Sequence, residues 1–279
     1  MYFKFKENDV YINRIKAHPR VNFFIHSGTV YYNNKPKIVQ DSTKWAFLGE
    51  QGAFNLSYIA NEILTARTNG TGFWCLSIFQ SPSVTAGAPH WSGRNVSLNG
   101  KWGQRIENGE IRSWVQSTVP ANQIFDLDTS GPYGTVDPEM LLCIDSVSAS
   151  TATFSWYTSN SSKTVGTYSR SNLPSDFDRY MVGARNSGGI IDNHLGGYYF
   201  AHIFGAGENL TSANAAQIQS AFNTSQDTLL DKIEHTVNTV KSISGNGNIK
   251  FAAIFTEGFT PISGTAPTVS GTISYRRFV

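Results

Sequence analysis

The stretch that most constrains the fold is residues 196–222, because its hydrophobic pattern changes period partway along. The first half, GYYFAHIF, is rich in aromatic and β-branched residues, which suit a strand on a pleated, half-buried surface. The second half begins at Thr211, a residue type that caps helix N-termini. It continues with Ala215, Ile218 and Phe222 at helical spacing. The sequence therefore predicts a strand that runs directly into a short helix.

Most of the remaining chain has the pattern of short strands separated by turns. The clearest strand is GFWCLSIFQ at 72–80, whose continuous apolar run indicates burial on both faces. Residues 61–64 are predicted to continue the preceding strand region into a turn at Asn69-Gly70. Further strands are indicated within 45–58, 96–115, 139–158, 179–185, 249–255 and 271–278. A second helix is predicted at 227–243, with an apolar stripe and Gly245 as its C-cap.

The closing strand and helix resemble those of laminin-G-like, or concanavalin-like, domains of virus and bacterial surface proteins. The features that carry the resemblance are glycines before an alternating strand, then Leu210-Thr211, then an alanine-rich helix. The segment RYMVGAR at 179–185 is similar to the strand that precedes the closing element in those domains. The resemblance implies an all-β jelly-roll sandwich with short C-terminal helices. We predict three parts: an arm at 1–41, the sandwich at 42–225 and a helix-plus-strands extension at 226–279.

The arm is predicted to contain a β-hairpin, VNFFIHSGTVYY, with strands at 21–26 and 29–32 around Ser27-Gly28. An isolated two-stranded hairpin is marginally stable in water, so this one should pack on the main domain or on another protein. Its aromatic residues fall on both faces and form a candidate assembly interface: Phe23, Phe24, Tyr31 and Tyr32. The segment also resembles an N-terminal module of tailed-bacteriophage virion proteins.

Composition excludes several classes of protein. The net charge is +2, which argues against a general nucleic-acid binder. No apolar run approaches the roughly 18 residues of a membrane helix, and charges interrupt the N-terminus where a secretory signal would be apolar. Cys75 and Cys143 sit in apolar runs, which favours buried free thiols, although a disulfide between neighbouring strands stays open. Neither a metal site nor a cofactor is predicted.

No pattern in the sequence indicates catalysis. Glycoside hydrolysis needs two carboxylates across the bond that is cleaved, and the acidic residues are scattered, so we interpret them as surface charges: Glu107, Glu110, Glu139, Asp145 and Glu208. Asp126, Asp128 and Asp137 could bind calcium, but loop carboxylates are common and no site is predicted. Trp91 and Trp102, in or near loops, are candidates for stacking a sugar ring, although tryptophan also fills sandwich cores. His202 is predicted to be a core or interface histidine.

The main functional hypothesis is a non-enzymatic virion structural protein of a tailed phage, displayed on the capsid or the tail. It would be made in the host cytoplasm, and it would associate with other virion proteins and with copies of itself. The alternative is a carbohydrate-binding adhesin or receptor-binding module that recognises a host surface glycan. A glycoside hydrolase is the third hypothesis.

Overall fold

The computed structural model divides the chain into two compact units, Met1–Asp41 with Ser225–Lys232, and Ser42–Thr224 with Ile233–Val279. The residues that it describes are 23–26, 29–32, 42–48, 52–80, 88–94, 101–107, 110–116, 140–157, 162–169, 178–187, 190–192, 194, 196–245 and 247–278. The smaller unit contains the predicted hairpin, with β1 (Phe23–His26) antiparallel to β2 (Thr29–Tyr32) and His26 paired with Thr29.

The larger unit is a sandwich of two antiparallel sheets, which confirms the predicted all-β class. Its strands are β3 (Lys44–Leu48), β4 (Ala53–Asn55), β5 (Phe73–Gln80), β6 (Ala88–Arg94), β7 (Lys101–Glu107), β8 (Glu110–Gln116), β9 (Leu141–Val147), β10 (Thr151–Tyr157), β11 (Ser162–Ser169), β12 (Arg179–Val182), β13 (Arg185–Ser187), β14 (Ile190–Asp192), β15 (Gly197–Ala206), β16 (Ile249–Ile254), β17 (Thr268–Ser270) and β18 (Ile273–Arg277).

One sheet has eight strands in the order β11-β10-β9-β5-β15-β3-β18, with β16 also paired to β15. The other has six strands in the order β17-β4-β12-β6-β7-β8. Strands β13 and β14 form a separate hairpin. Buried residues from both sheets, among them Phe54, Phe79 and Tyr180, form one hydrophobic core. The two sheets therefore face each other across that core.

The centre of the eight-stranded sheet is apolar on both faces. Strand β5 pairs with β15 on one side and with β9 on the other, and its residues from Phe73 to Phe79 are all buried. Gly205 of β15 lies beside the indole of Trp74, where an added Cβ would sit 2.3 Å from a ring carbon. A side chain at position 205 would therefore displace the tryptophan.

The segment 59–68 is a helix, so the strand region predicted to continue through 61–64 is wrong, whereas the turn predicted at Asn69-Gly70 is confirmed. Helix α1 (Ile59–Thr68) buries Ile59, Ile63 and Ala66, which recur at helical spacing, in the core between the sheets. Its N-cap, Tyr58, makes no side-chain cap hydrogen bond. The sequence therefore lacks the capping signal that usually marks a helix start.

The other two helices agree with prediction. Helix α2 (Ser212–Asn223) is capped by Thr211, whose Oγ1 accepts from the Asn214 backbone N–H at 3.2 Å, while Asn214 Oδ1 accepts from the Thr211 N–H at 2.9 Å. Helix α3 (Leu229–Ser244) carries the predicted stripe, in which Ile233, Val237 and Val240 are buried. Gly245 follows with a φ of +70°, as expected of a helix C-cap.

The last strands of the chain belong to the two sheets. Strands β16 and β18 join the eight-stranded sheet, and β17 pairs with β4 at the edge of the six-stranded sheet. The segment 226–279 thus contributes to both layers of the sandwich, while its status as a separate domain stays a prediction. Among the described helices, none has the length and apolar character needed to cross a membrane.

Candidate functional site

The register of β12, β6, β7 and β8 divides their residues between two faces of the six-stranded sheet. Tyr180 and Val182 of β12 are buried in the core, and they pair with Gly93 and Trp91. Directly paired residues share a face, and residues alternate between faces along each strand. The positions on this face carry no charge: Trp91, Gly93, Trp102, Gln104, Ile106, Ile111, Ser113, Val115, Tyr180 and Val182. We call it the uncharged face.

The opposite face of these strands contains every charged residue that they have. The charged positions are Arg94, Lys101, Arg105, Glu107, Glu110, Arg112 and Arg179. Ser92, Gly103, Trp114, Gln116 and Met181 share the same side of the sheet. We call it the charged face. Since the uncharged face meets the core, the charged face is the outer surface of the sandwich.

Cations occupy directly paired positions on the charged face. Arg179 pairs with Arg94, and Arg94 pairs with Lys101, which makes a row of three cations across three adjacent strands. Arg105 pairs with Arg112 in a second row. Neighbouring strands lie about 4.8 Å apart, and like charges directly opposite one another destabilise a sheet. The register therefore places like charges directly opposite one another in two rows of the charged face.

An aromatic position lies between the two cation rows. Trp114 pairs with Gly103, Gly103 pairs with Ser92, and Ser92 pairs with Met181. Gly103 is buried, as expected of a backbone flanked by strands on both sides. The charged face thus has a tryptophan, a glycine and a serine in one row, with cations in the rows before and after it.

The β12 end of the charged face is covered by the β13–β14 hairpin. Met181 is fully buried with Ala53 and Ala184, and Ile191 of β14 packs against them. The Arg179 guanidinium is partly compensated here, because its Nη1 donates to Asn186 Oδ1 at 3.2 Å and its Nε lies 3.6 Å from Asp178 Oδ1. Strand β13 also lies close to β6, so the hairpin neighbours the β6 part of the face as well.

Of the candidate stacking residues, Trp91 lies in the middle of β6 and not in a loop, whereas Trp102 is the second residue of β7, near the end of its strand. They occupy diagonal positions on the uncharged face, because Trp91 pairs with Gln104 and Trp102 with Gly93. A role in sugar stacking stays a prediction for both, but this placement favours the core role that the sequence also allows. The register places Trp114 of β8 on the charged face, a position that the sequence analysis missed.

Two interpretations of the acidic residues require correction. Glu107 and Glu110 are direct register partners at the tip of the β7–β8 hairpin and are not scattered. Asp145 is 1% exposed and so is not a surface charge. It lies on the core side of β9, where Cys75 Sγ donates to Asp145 Oδ2 at 3.6 Å. Glu208 accepts a hydrogen bond from Ser244 Oγ, and Glu139 lies outside the described residues.

A polar network lies inside the core, and it is not an active site. His202 Nδ1 is 2.8 Å from Ser77 Oγ, and His202 Nε2 is 3.1 Å from the Tyr180 hydroxyl. An imidazole beside a serine resembles a base and its nucleophile, but His202 and Tyr180 are 0% exposed and Ser77 is 1% exposed. Burial lowers the pKa of His202 to about 3, so the ring is neutral. The predicted core role of His202 is confirmed.

The thiols of Cys75 and Cys143 are free and buried, which confirms the favoured prediction. Burial, followed by the nearby Asp145 carboxyl, raises the pKa of both thiols well above the usual value. Within the described ranges, no group of three acidic, histidine or cysteine residues could hold a metal ion. Asp126, Asp128 and Asp137 lie outside those ranges, as do the side chains of Phe23, Phe24, Tyr31 and Tyr32.

A second surface rich in aromatic residues lies on the outer side of the eight-stranded sheet. We call it the aromatic patch: Phe47, Tyr198, Phe278 and Arg276. The Phe278 ring packs edge-on against Tyr198 at 5.2 Å between centroids, and Phe47 packs edge-on against Tyr198 at 5.1 Å. The Arg276 guanidinium covers the Phe47 ring at 4.1 Å. These partly buried rings are therefore already packed against one another and against Arg276.

No family model matches the chain, and no curated protein sequence matches it. Among solved structures, the CBM40 of the Ruminococcus gnavus IT-sialidase has a TM-score of 0.46 and 12% identity, over 61% of this chain and 94% of that one. A NanB sialidase from Streptococcus pneumoniae has a TM-score of 0.46 and 13% identity, over 63% of this chain and 27% of the sialidase. Tailspike protein 2 of Escherichia coli O157:H7 bacteriophage CAB120 has a TM-score of 0.39 and 11% identity, over 56% and 22%.

Proposed function

We propose that this protein is a non-catalytic, lectin-like carbohydrate-binding module. The observation that supports the proposal is the register of β6, β7 and β8, which places Trp114 between two rows of basic residues on one face of the six-stranded sheet. An aromatic ring offers an apolar surface on which a sugar ring can stack. Arginine and lysine donate hydrogen bonds that fix the orientation of the bound hydroxyl and acidic groups.

The charged face fits this function better than the aromatic patch does. In the patch, Arg276 stacks over Phe47, and the rings of Tyr198 and Phe200 stack on each other at 6.2 Å. The Tyr198 hydroxyl donates to the Arg277 backbone oxygen at 3.1 Å. In these contacts the ring faces and the Tyr198 hydroxyl group, which a sugar would otherwise contact, are already occupied. The patch therefore serves as the matched comparison surface.

Catalysis is not part of the proposal, although glycosidases also use paired carboxylates. Glu107 and Glu110 are paired with each other where β7 and β8 adjoin, whereas hydrolysis needs carboxylates on either side of a bound substrate. Asp145 is enclosed in the core. The expected activity is reversible binding, with the glycan released unchanged.

The experiment is a glycan-array screen followed by calorimetry on the best ligands, using the full chain. Trp114→Ala is expected to weaken binding by about twofold to tenfold, since one aromatic stacking contact is worth about 0.5–1.5 kcal/mol. Tyr198→Ala removes a ring of the aromatic patch and should leave the affinity unchanged. Loss of binding in Tyr198→Ala, with Trp114→Ala unaffected, would instead locate the site on the aromatic patch. Absence of binding to every glycan would refute the proposal.

A virion role, with the module displayed on a phage capsid or tail, is a second proposal that is compatible with the first. It is supported by the N-terminal hairpin, since β1 and β2 belong to a compact unit distinct from the sandwich. In this proposal the hairpin attaches the protein to its assembly, the charged face binds a host glycan, and copies of the chain act together. Many copies would convert weak individual binding into high avidity.

A further inference from the structure

We infer that the charged face selects acidic polysaccharides, those with carboxylate or sulfate groups, an inference that rests on the proposed function. Its basis is the pairing of the cations. The register sets Arg94 directly between Arg179 and Lys101, and sets Arg105 directly opposite Arg112. A surface selected only for solubility would mix the two signs of charge.

The pattern of charge along the strands strengthens this inference. The two carboxylates of the charged face, Glu107 and Glu110, pair with each other at the hairpin tip. They lie next to the Arg105–Arg112 row and far from the row that contains Arg94. The cation row across β12, β6 and β7 therefore has no acidic residue at a paired position. Asp178 lies 3.6 Å from the Arg179 guanidinium, and an acidic ligand would add negative charge opposite Arg94 and Lys101.

The spacing of the rows matches a polymer better than a single acidic group. Lys101 and Arg105 are four residues apart in β7, which is roughly 13 Å of strand. Gly103 lies midway between them, beside Trp114. An acidic chain lying along the strands would meet one cation row, then the tryptophan, then the second cation row. Arginine recognises planar carboxylate and sulfate-type oxygens through its fork of donors.

Among the described strands, Lys44 of β3 also pairs directly with another cation, Arg277 of β18, but there a carboxylate lies beside the lysine. The Lys44 ammonium of β3 is paired with Glu257 at 2.7 Å. Arg276 stacks on Phe47, and Arg277 is an exposed end residue of β18. Arg277 therefore provides a charge-matched control on a different sheet.

The test compares three probes, namely polygalacturonate, dextran sulfate and neutral dextran, on the full-length protein at 50 mM and 300 mM salt. We expect binding to the two acidic polymers and weaker affinity at high salt, because exposed charge interactions are screened. Arg94→Gln should reduce the affinity by about tenfold, and Arg277→Gln should leave it unchanged. Arg94→Gln should also keep or raise the melting temperature, because it removes two like-charge pairs.

The outcomes separate this inference from the proposed function. Binding of neutral glycans that Trp114→Ala weakens and Arg94→Gln does not change would overturn the acidic specificity and preserve the carbohydrate-binding function. A melting temperature lowered by Arg94→Gln would assign the cation row a structural role and would also overturn the inference. Displacement of the polysaccharides by single-stranded DNA at equal charge concentration would show that the charged face binds any polyanion, and it would overturn the selectivity for acidic polysaccharides. No binding to any probe or array glycan would refute both proposals.

Discussion

Acidification should destabilise this protein through one buried histidine. His202 is fully enclosed, and its two nitrogens contact the hydroxyl groups of Ser77 and Tyr180. Tyr180 in turn interacts with Cys75 and Asp145 in the same core. Burial lowers the pKa of His202 from 6.5 to about 3. The folded protein therefore resists a proton that the unfolded chain accepts readily.

The size of the effect follows from the two pKa values. As the pH falls below 6.5, the unfolded chain binds the proton first, so the stability present above pH 6.5 is lost progressively down to pH 3. Each pKa unit is worth about 1.4 kcal/mol. The free energy of unfolding should therefore fall by about 2 kcal/mol at pH 5 and by about 4 kcal/mol at pH 3. These losses are a large part of the 5–15 kcal/mol that stabilises a typical domain.

The assay is urea unfolding between pH 7.5 and pH 4, with His202→Gln compared against the unchanged protein. The glutamine amide can still hydrogen-bond both hydroxyls but does not titrate, so this variant should lose about 2 kcal/mol less on going from pH 7 to pH 5. His235→Gln, at an exposed position of α3, is the control and should keep the full pH dependence. Equal slopes for His202→Gln and the unchanged protein would refute the reasoning.

Two further predictions concern the N-cap of α2 and the N-terminal arm. Thr211→Ala removes the N-cap of α2 and should lower the free energy of unfolding by about 1 kcal/mol, whereas Thr211→Ser should be nearly neutral; urea unfolding checks both, and a silent Thr211→Ala would contradict the capping geometry. A chain that begins at Asp41 should melt like the full protein and fail to join particles or self-associate, which thermal melting and particle incorporation would measure. Failure of this shorter chain to fold would show that the arm belongs to the core.

Most of the strands could be predicted because local sequence patterns determine them. The continuous apolar run of β5 predicted a strand buried on both faces, and the Thr211 cap predicted where α2 begins. The aromatic-rich pattern of β15 predicted a strand but only half-buried, whereas nearly all of its residues are buried. Helix α1 was not predictable in the same way, because Tyr58 provides no capping side chain. Its apolar residues are also few, so the helical period competes with a strand assignment over the same short run.

The candidate site was harder to predict from the sequence, because it depends on which residues pair across strands. The alternation in EIRSWVQ of β8 already separates Glu110, Arg112 and Trp114 from Ile111 and Val115. That signal could have identified Trp114 as an outer residue. The direct pairing of Arg94 with Arg179 brings together residues 85 positions apart in the chain. Sequence spacing contains no information about such a contact.

The two sheets differ in a way that restricts where a binding site can lie. In the eight-stranded sheet, Trp74, Leu76 and Ile78 are as buried as Phe73, Cys75 and Phe79, so both faces of β5 are committed to packing. A substitution there costs stability before it can create a contact with a ligand.

Strands β7 and β8 of the six-stranded sheet have one uncharged face toward the core and one charged face outward. Outward residues can change with little effect on the fold, because surface substitutions usually shift stability by less than about 0.5 kcal/mol. The paired cations on that face are unfavourable for the isolated sheet, and nothing in the packing of the core requires them. Their cost is explained if an acidic ligand neutralises them, which is why the melting temperature of Arg94→Gln is as informative as its affinity.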